Sequence, residues 1–433
     1  MDKVVLIFPK TGLDKYSQLP LGLLSVASTI VDDYEVKIID QRLEVDCVRK
    51  VESESKNSIC AGITSMTGEQ ISNGIEISRI IKKNTTVIWG GIHPTILPKQ
   101  TLENKNIDYI IMGEGEVTFP RLIEAIKNKN KPDDIRGIGY KNADGIHINE
   151  MSNFLDLNTL PDLPYYLLDI NKYVTKRDGF QRCLTLETSR GCPHNCTFCS
   201  NPIIHKRKWR FLDVENIIRK INYLQHKFNL DGIVFQEDNF FVDIQRIEKF
   251  CSIITNNNIG WKANCRMKYL LDKDEFFLKM LEDAGCKMLQ FGVESGSDRI
   301  LNLLNKGIGT DDILKVNRKL AKSNILCRYN FIIGMPTETE DEIQKTLDFI
   351  DKLRHENPNL DVPFLNIYTP WPGTKLYELA VNSGFNPPTN LEGWSKFNWN
   401  SYNLPGLSRK TSKFLEEISL KYRNENSYFS NHK

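Results

Sequence analysis

The stretch Glu187-Thr-Ser-Arg-Gly-Cys192-Pro-His-Asn-Cys196-Thr-Phe-Cys199-Ser200 decides how this chain is read. It sets three cysteines at Cys-x3-Cys-x2-Cys spacing, directly after the strand-like apolar run Leu184-Thr-Leu186. Three thiolates this close can hold an iron-sulfur cluster. A four-iron cluster with only three protein cysteines keeps one iron open for a ligand the protein does not supply. The same residues could also form a zinc knuckle if His194 or His205 gave the fourth ligand, or remain buried thiols.

Composition narrows the setting. The chain has 433 residues, enough for two or three domains. Lys plus Arg number 57 against 55 Asp plus Glu, so the overall charge advertises neither a nucleic-acid nor an anionic-membrane surface. The densest basic run is His205-Lys-Arg-Lys-Trp-Arg210. Ten cysteines are too sparse for a disulfide scaffold, and no apolar stretch is long enough to span a membrane. Met1-Asp-Lys-Val-Val-Leu-Ile-Phe8 enters a strand-like run without the form of a signal peptide, so the expected compartment is reducing cytoplasm. The other seven cysteines are scattered singly and read as small core residues.

Ahead of the triplet, residues 1–128 alternate short β-branched runs with helical patterns. Val4 to Phe8, Val36 to Ile39, Ile59 to Ile63, Val87 to Trp89 and Tyr109 to Met112 read as strands. Leu21 to Ile30, Gln70 to Ile81 and Phe119 to Ile126 read as helices. Such alternation predicts a doubly wound, Rossmann-like parallel sheet, with ligands beyond the carboxyl ends of its strands. The loops expected there are Thr64-Ser65-Met66-Thr67, Gly90-Gly91-Ile-His93-Pro94 and Gly113-Glu114-Gly115-Glu116. No Gly-x-Gly-x-x-Gly follows the first strand, which argues against an ordinary dinucleotide site.

Residues 129–182 read as a connector with a hairpin over 137–148. Residues 183–380 then alternate again, with strands at 184–186, Gly232 to Phe235, Trp261 to Asn264, Lys287 to Val293, Leu326 to Ile333 and Phe364 to Tyr368. Six such units predict a partial (β/α)6 TIM-like barrel, whose function gathers at the C-terminal strand ends. Residues 381–433, with Trp394, Trp399 and an amphipathic pattern over 414–422, read as a short C-terminal cap.

The triplet, with Phe198 just before its third cysteine, resembles the radical S-adenosylmethionine (SAM) superfamily. The N-terminal section resembles the cobalamin-binding domain that precedes the radical domain in one branch of it. That second likeness is carried by Pro20-Leu-Gly-Leu-Leu24, Gly90-Gly-Ile-His-Pro94 and Gly113-Glu-Gly-Glu116. The resemblance implies a 4Fe-4S cluster on Cys192, Cys196 and Cys199, with SAM on the open iron and Phe198 alongside. Reductive cleavage of SAM would give methionine and a 5'-deoxyadenosyl radical, the electron coming from an external donor such as flavodoxin or ferredoxin.

At the strand ends it implies SAM contacts from Glu237 and Asp238 near the amino group and from Glu294 and Ser295 near the ribose or methionine end. Gly334 would let the adenine lie against backbone, and Arg266 would pair with a carboxylate. Glu237 and Asp238 read equally as the start of a helix, and Arg266 as half of a surface ion pair. Tyr368 and Trp371 either line a substrate pocket or pack in the core. In the first section the resemblance implies cobalamin contacts from Thr64, Ser65, Gly90, Gly91, His93, Gly113, Glu114, Gly115 and Glu116. His93 reads equally as a loop histidine bonded to backbone. The Asp-x-His-x-x-Gly signature that supplies an axial histidine is absent, so any bound cobalamin is expected without a lower ligand from that motif.

The function implied is cobalamin-dependent methyl transfer to an unactivated carbon. Radical cyclisation, oxidation and carbon-carbon coupling without cobalamin are the catalytic alternatives, and a cobalamin or redox sensor without turnover is the non-catalytic one. No substrate motif is readable.

Overall fold

The computed structural model describes residues 1–12, 17–397 and 409–425. The chain separates into two compact units, 1–174 together with the segment from Pro388, and 175–387 together with the C-terminal helix.

The first unit is built on a seven-stranded sheet. Its strands are β1 (Lys3–Phe8), β2 (Glu35–Asp40), β3 (Ser58–Thr64), β4 (Thr86–Gly90), β5 (Tyr109–Ile111), β6 (Ile138–Asn142) and β7 (Gly145–Ile148), in the order β2-β1-β3-β4-β5-β6-β7. The first five pair in parallel, and the β6–β7 hairpin extends the edge antiparallel. Val4, Val5, Ile7, Ala61, Val87, Ile88 and Trp89 are buried to within 1% exposure, as parallel strands covered on both faces require. The order reverses between β1 and β3, which makes the loop after β3 the topological switch point.

Crossovers include helices Leu21–Ser28 and Glu69–Ile81, and also Cys47–Ser55, which the sequence pattern leaves unassigned, while helix Gly115–Asn128 joins β5 to the antiparallel β6. Trp394, from the segment beginning at Pro388, is buried and donates to Gln100 Oε1 at 2.6 Å.

The second unit holds β8 (Thr175–Arg177), β9 (Phe180–Leu186), β10 (Ser189–Arg190), β11 (Arg210–Phe211), β12 (Gly232–Phe235), β13 (Gly260–Cys265), β14 (Cys286–Glu294), β15 (Leu326–Ile333), β16 (Leu360–Asp361) and β17 (Leu365–Ile367). Strands β9, β12, β13, β14, β15 and β17 run parallel, one beside the next, and form the expected six-stranded partial barrel. Phe235, Phe240, Phe250 and Trp261 pack ring against ring at centroid distances of 4.3 to 6.1 Å. A buried charge net ties β13, β15 and β16 to the β8–β9 turn. Asp178 accepts from Lys262 at 2.9 Å and Arg328 at 2.8 Å, and Arg328 also reaches Asp361 at 2.8 Å.

The C-terminal helix Arg409–Glu425 belongs to this unit, where Ser419 donates to the Leu365 carbonyl at 3.1 Å. Trp399, read with the cap, lies outside the described residues.

Candidate functional site

The cysteine loop leaves the end of β9 and is closed at its base by β10 pairing antiparallel with β11. That base is fixed by Glu237, the residue two beyond β12. Its buried carboxylate accepts from the Thr188 backbone at 2.6 Å and from the Thr188 and Ser189 hydroxyls. Arg246 donates to the Thr188 hydroxyl at 2.7 Å and lies over the Trp209, Phe211 and Phe240 rings at 5.3 to 5.6 Å. Burial pushes the Glu237 carboxyl up to about 6, against the pull of Arg246 and the hydroxyls. Asp238 accepts from the Gly191 backbone at 3.1 Å. Both acidic residues therefore face the cysteine loop, as its brace.

The far side of the loop is pinned by the turn that ends helix Asp298–Leu303. Thr197 donates to the carbonyls of Leu303 at 2.8 Å and Leu304 at 3.1 Å, and Asn305 donates to the Asn195 carbonyl at 2.9 Å. This turn carries Lys306, which the sequence pattern did not single out. Its ammonium is buried, pairs with Glu294 at 3.0 Å and lies 5.8 Å from the centre of the Phe198 ring. Arg266, at the end of β13, completes the group by donating to the Lys306 carbonyl at 2.6 Å and to Cys196 Sγ at 3.0 Å.

Glu294 is buried with φ of 75°, a conformation costly for a residue with a Cβ. Such strain persists only where surroundings fix it, and clusters at working sites. Cys192, Cys196, Cys199, Phe198, Arg266, Glu294 and Lys306 thus form one connected group.

Two expected residues sit elsewhere. Ser295 is fully buried, with its hydroxyl 3.2 Å from that of Thr346 and accepting from the Ser297 backbone at 3.1 Å. At Gly334 a Cβ would lie 2.8 Å from Leu415, so the close neighbour there is the C-terminal helix.

The donor set fits an iron-sulfur cluster. Each thiol sulfur accepts an N–H: Cys196 from Arg266, Cys199 from the Asn201 backbone at 3.4 Å, and Cys192 from Asn239 at 3.8 Å. Burial raises the Cys192 thiol and pushes that of Cys199 up to about 12, so thiolates there need a metal to displace their protons. Among the described residues, no three Cys, His, Asp or Glu side chains are arranged for a single metal ion. His194 Nε2 lies 2.7 Å from Tyr269 OH, and His205 Nδ1 lies 3.0 Å from Arg210.

In the first unit the loops after β3 and β4 lock together. Ser65 donates its backbone N–H to the Gly90 carbonyl at 2.8 Å, and His93 donates its own to the Ser65 carbonyl at 3.0 Å. Gly91 has φ of 98°, and a Cβ there would lie 2.8 Å from the Ser65 oxygen and 3.0 Å from Thr64 Oγ1. His93 is fully buried, with Nδ1 2.9 Å from Thr67 Oγ1, so the partner of its ring is a side chain and not the backbone of the alternative reading. Burial pushes its pKa down to about 4, so it is neutral. Gly113 donates to Thr95 at 2.9 Å, Glu114 accepts from the Leu155 backbone at 3.0 Å, and Glu116 accepts from Ser25 at 2.6 Å. Gly115 lies against Val26, to which an added Cβ would come within 3.0 Å.

A half-barrel with a cysteine loop at one strand end, preceded in the chain by a doubly wound sheet, defines a cofactor-handling enzyme of two parts. Residues 186–350 match the Radical SAM superfamily and residues 14–123 match the B12 binding domain. An uncharacterized methyltransferase of Pyrococcus horikoshii, PH0819, is 32% identical over 372 residues, which are 84% of this chain and 78% of that protein. An anaerobic magnesium-protoporphyrin IX monomethyl ester cyclase of Rubrivivax gelatinosus is 25% identical over 78% of this chain and 60% of its own length. Among solved structures, the radical SAM methyltransferase TsrM of Kitasatospora setae, with cobalamin and a 4Fe-4S cluster bound, aligns with a TM-score of 0.71 at 17% identity. The alignment covers 90% of this chain and 80% of that one. The chain belongs to the radical SAM superfamily, in the branch that carries a B12-binding domain ahead of the radical domain.

Proposed function

We propose that this enzyme is a cobalamin-dependent radical SAM methyltransferase acting on an unactivated carbon. The observation that carries the reading is the connected group around the cysteine loop in a chain that also has a B12-binding sheet. When bound, the cluster, SAM and cobalamin would supply the radical and the methyl group, while the protein sets geometry and excludes water.

Cys192, Cys196 and Cys199 would hold the cluster. Arg266, Lys268 and Lys306 line a cleft with Gly292 and Ile308, a cationic wall suited to the carboxylate of SAM. Glu294 balances Lys306 so that this wall is not one of unpaired charge. The backbone at Ser65, Gly90, Gly91 and Gly113 would face cobalamin.

An external low-potential donor and a cytoplasmic setting belong to the same reading. Among the described residues, no helix is long and apolar enough to cross a membrane. Protein reconstituted anaerobically with iron, sulfide and hydroxocobalamin and then reduced with a low-potential reductant such as titanium(III) citrate should cleave SAM to methionine and 5'-deoxyadenosine and also form S-adenosylhomocysteine. Cleavage without S-adenosylhomocysteine would turn the reading to a radical cyclase or coupling enzyme, and no cleavage by reduced protein to a sensor.

A further inference from the structure

We propose that the concave face of the half-barrel binds the substrate through the carboxamides of Gln290 and Asn330, and that this substrate is a neutral, peptide-type compound. The inference rests on the radical SAM reading and names the substrate class for it.

Alternation along the strands separates two faces. On the helix side, Tyr329 donates its hydroxyl to Asn317 Oδ1 of helix Thr310–Leu320 at 2.9 Å, and Phe291 packs edge-on against Tyr329 at 5.5 Å. Trp261 Nε1 likewise donates to the Ala284 carbonyl, just past helix Glu275–Asp283, at 2.7 Å. The residues that alternate with these take the other, concave face. Laterally paired residues of parallel strands share a face, and the register sets Asn264 beside Gln290, Gln290 beside Arg328 and Gly292 beside Asn330.

The face is closed at the N-terminal ends of its strands. An added Cβ on Gly232 or Gly260 would run into the Phe180 ring, so that ring plugs the base. Lys262 and Arg328 stand on the face but are paired with Asp178 and Asp361, two cations against two carboxylates. Toward the C-terminal ends, an added Cβ on Gly292 would run into Glu294 Oε1 and lie 3.3 Å from Lys306 Nζ. The face therefore leads up to the cationic wall.

Between base and wall stand groups that hydrogen-bond but carry no charge. Asn264, Gln290 and Asn330 are half-buried, and Asn264 Nδ2 is held by the Glu237 carbonyl at 2.7 Å. Among the described residues, the carboxamides of Gln290 and Asn330 form no hydrogen bond. Thr185 lies on the same face beside Val234, which packs with Phe180. It is 2% exposed, and its hydroxyl is buried without a partner. Buried polar groups are nearly always bonded, so this surface calls for a ligand with donors and acceptors of its own.

Charge and polarity then select the class. A carboxylate or phosphonate would meet cations that already have carboxylate partners. A flat apolar ring system would leave the carboxamides unpaired, at a cost for each. A peptide link offers one N–H and one C=O in a plane, and a carboxamide side chain answers with an acceptor and a donor.

The test uses the whole protein, reconstituted with cluster, cobalamin and SAM and left oxidised, and reads dissociation constants by saturation-transfer NMR. Three probes are compared: acetyl-trialanine amide, its analogue with the central amide replaced by an ester, and protoporphyrin IX. The tripeptide should bind more tightly than protoporphyrin IX, and the ester analogue about tenfold more weakly than the tripeptide for want of one N–H. In Gln290→Met/Asn330→Leu the dissociation constant of the tripeptide should rise about tenfold, with SAM and cobalamin affinities held.

The proposal is overturned by an absence of saturation transfer to the tripeptide, by tighter binding of protoporphyrin IX, or by unchanged tripeptide binding in the variant. Loss of SAM or cobalamin affinity in step with the tripeptide would assign the carboxamides to a cofactor, and overturns it as well. If the variant does not fold, the unsubstituted protein still decides, since equal binding of amide and ester overturns the proposal. Failure of the radical SAM reading is seen separately, as no cleavage of SAM after reduction, because peptide binding is read on the oxidised protein.

Discussion

The two units prepare their strand-end loops in opposite ways. In the first, the charged and aromatic candidates are turned into the fold: Glu114 caps the Leu155 amide, Glu116 holds Ser25, and His93 is buried against Thr67. What remains at the loops is polypeptide backbone. In the second, opposite charges are gathered and linked, from Cys196 through Arg266 and Lys306 to Glu294. A surface of backbone recognises a large ligand by shape and tolerates changes of side chain, whereas fixed charges act where charge changes during reaction. Substitutions should therefore have sharp effects in the second unit and weak ones in the first.

The largest contrast comes from the cysteines. Replacing Cys192, Cys196 or Cys199 with Ala should take iron from about four per chain to none and abolish SAM cleavage. Cobalamin retention, measured by absorbance after gel filtration, should stay at the level of the unsubstituted protein. Joint loss of iron and cobalamin would erase the separation of the two sites. Stoichiometric zinc in place of iron would defeat the cluster assignment.

Glu294→Gln comes next, because it leaves the Lys306 ammonium buried without its partner. Breaking a buried pair in this way costs about 3 to 5 kcal/mol. Urea unfolding should show that loss in Glu294→Gln and recover most of it in Glu294→Gln/Lys306→Met. SAM affinity should fall in both, since neither retains the balanced cationic wall. A single substitution that leaves stability and SAM affinity unchanged would remove the pair from the site.

How much of this was legible depends on whether the signal is local. The cysteine triplet and the alternation of strands with helices are local, and both appear where the sequence places them. Helix Cys47–Ser55 escaped because its buried residues are only Cys47, Val51 and Ser55, a stripe too narrow and too polar to stand out. Lys306 escaped for another reason. It lies outside the strand ends, and contacts distant in sequence, from Thr197 to Leu303 and Leu304 and from Asn305 to Asn195, bring it to Phe198. Glu237 and Ser295 were noticed by position, yet position cannot say which way a carboxylate or hydroxyl turns. Their neighbours Thr188, Ser189 and Thr346 are far away in sequence and decided it.

Arg266 tests the charged side more finely. Its guanidinium donates to Cys196 Sγ, and a positive donor on a ligating sulfur favours the reduced, more negative cluster. Arg266→Gln should lower the midpoint potential by tens of millivolts, on the scale where 59 mV is tenfold for one electron. Arg266→Lys should recover part of it. A redox titration followed by electron paramagnetic resonance reads both. An unchanged potential with full iron content would reduce Arg266 to holding the Lys306 carbonyl.

The smallest effect is expected at His93, the histidine of the loop after β4. The ring is buried, neutral and 6.2 Å from the centre of Trp394. Its Nε2 is buried without a hydrogen-bond partner, so reaching an external cobalt would require repacking the loop. The Co(II) spectrum of bound cobalamin should therefore be base-off, without nitrogen splitting from a histidine, and the same in His93→Ala. The substitution should still cost about 1 to 3 kcal/mol of stability through the cavity it leaves. Splitting that is present in the unsubstituted protein and lost in His93→Ala would show that the first unit uses a side-chain ligand after all, and the contrast between backbone and charge would fail on that side.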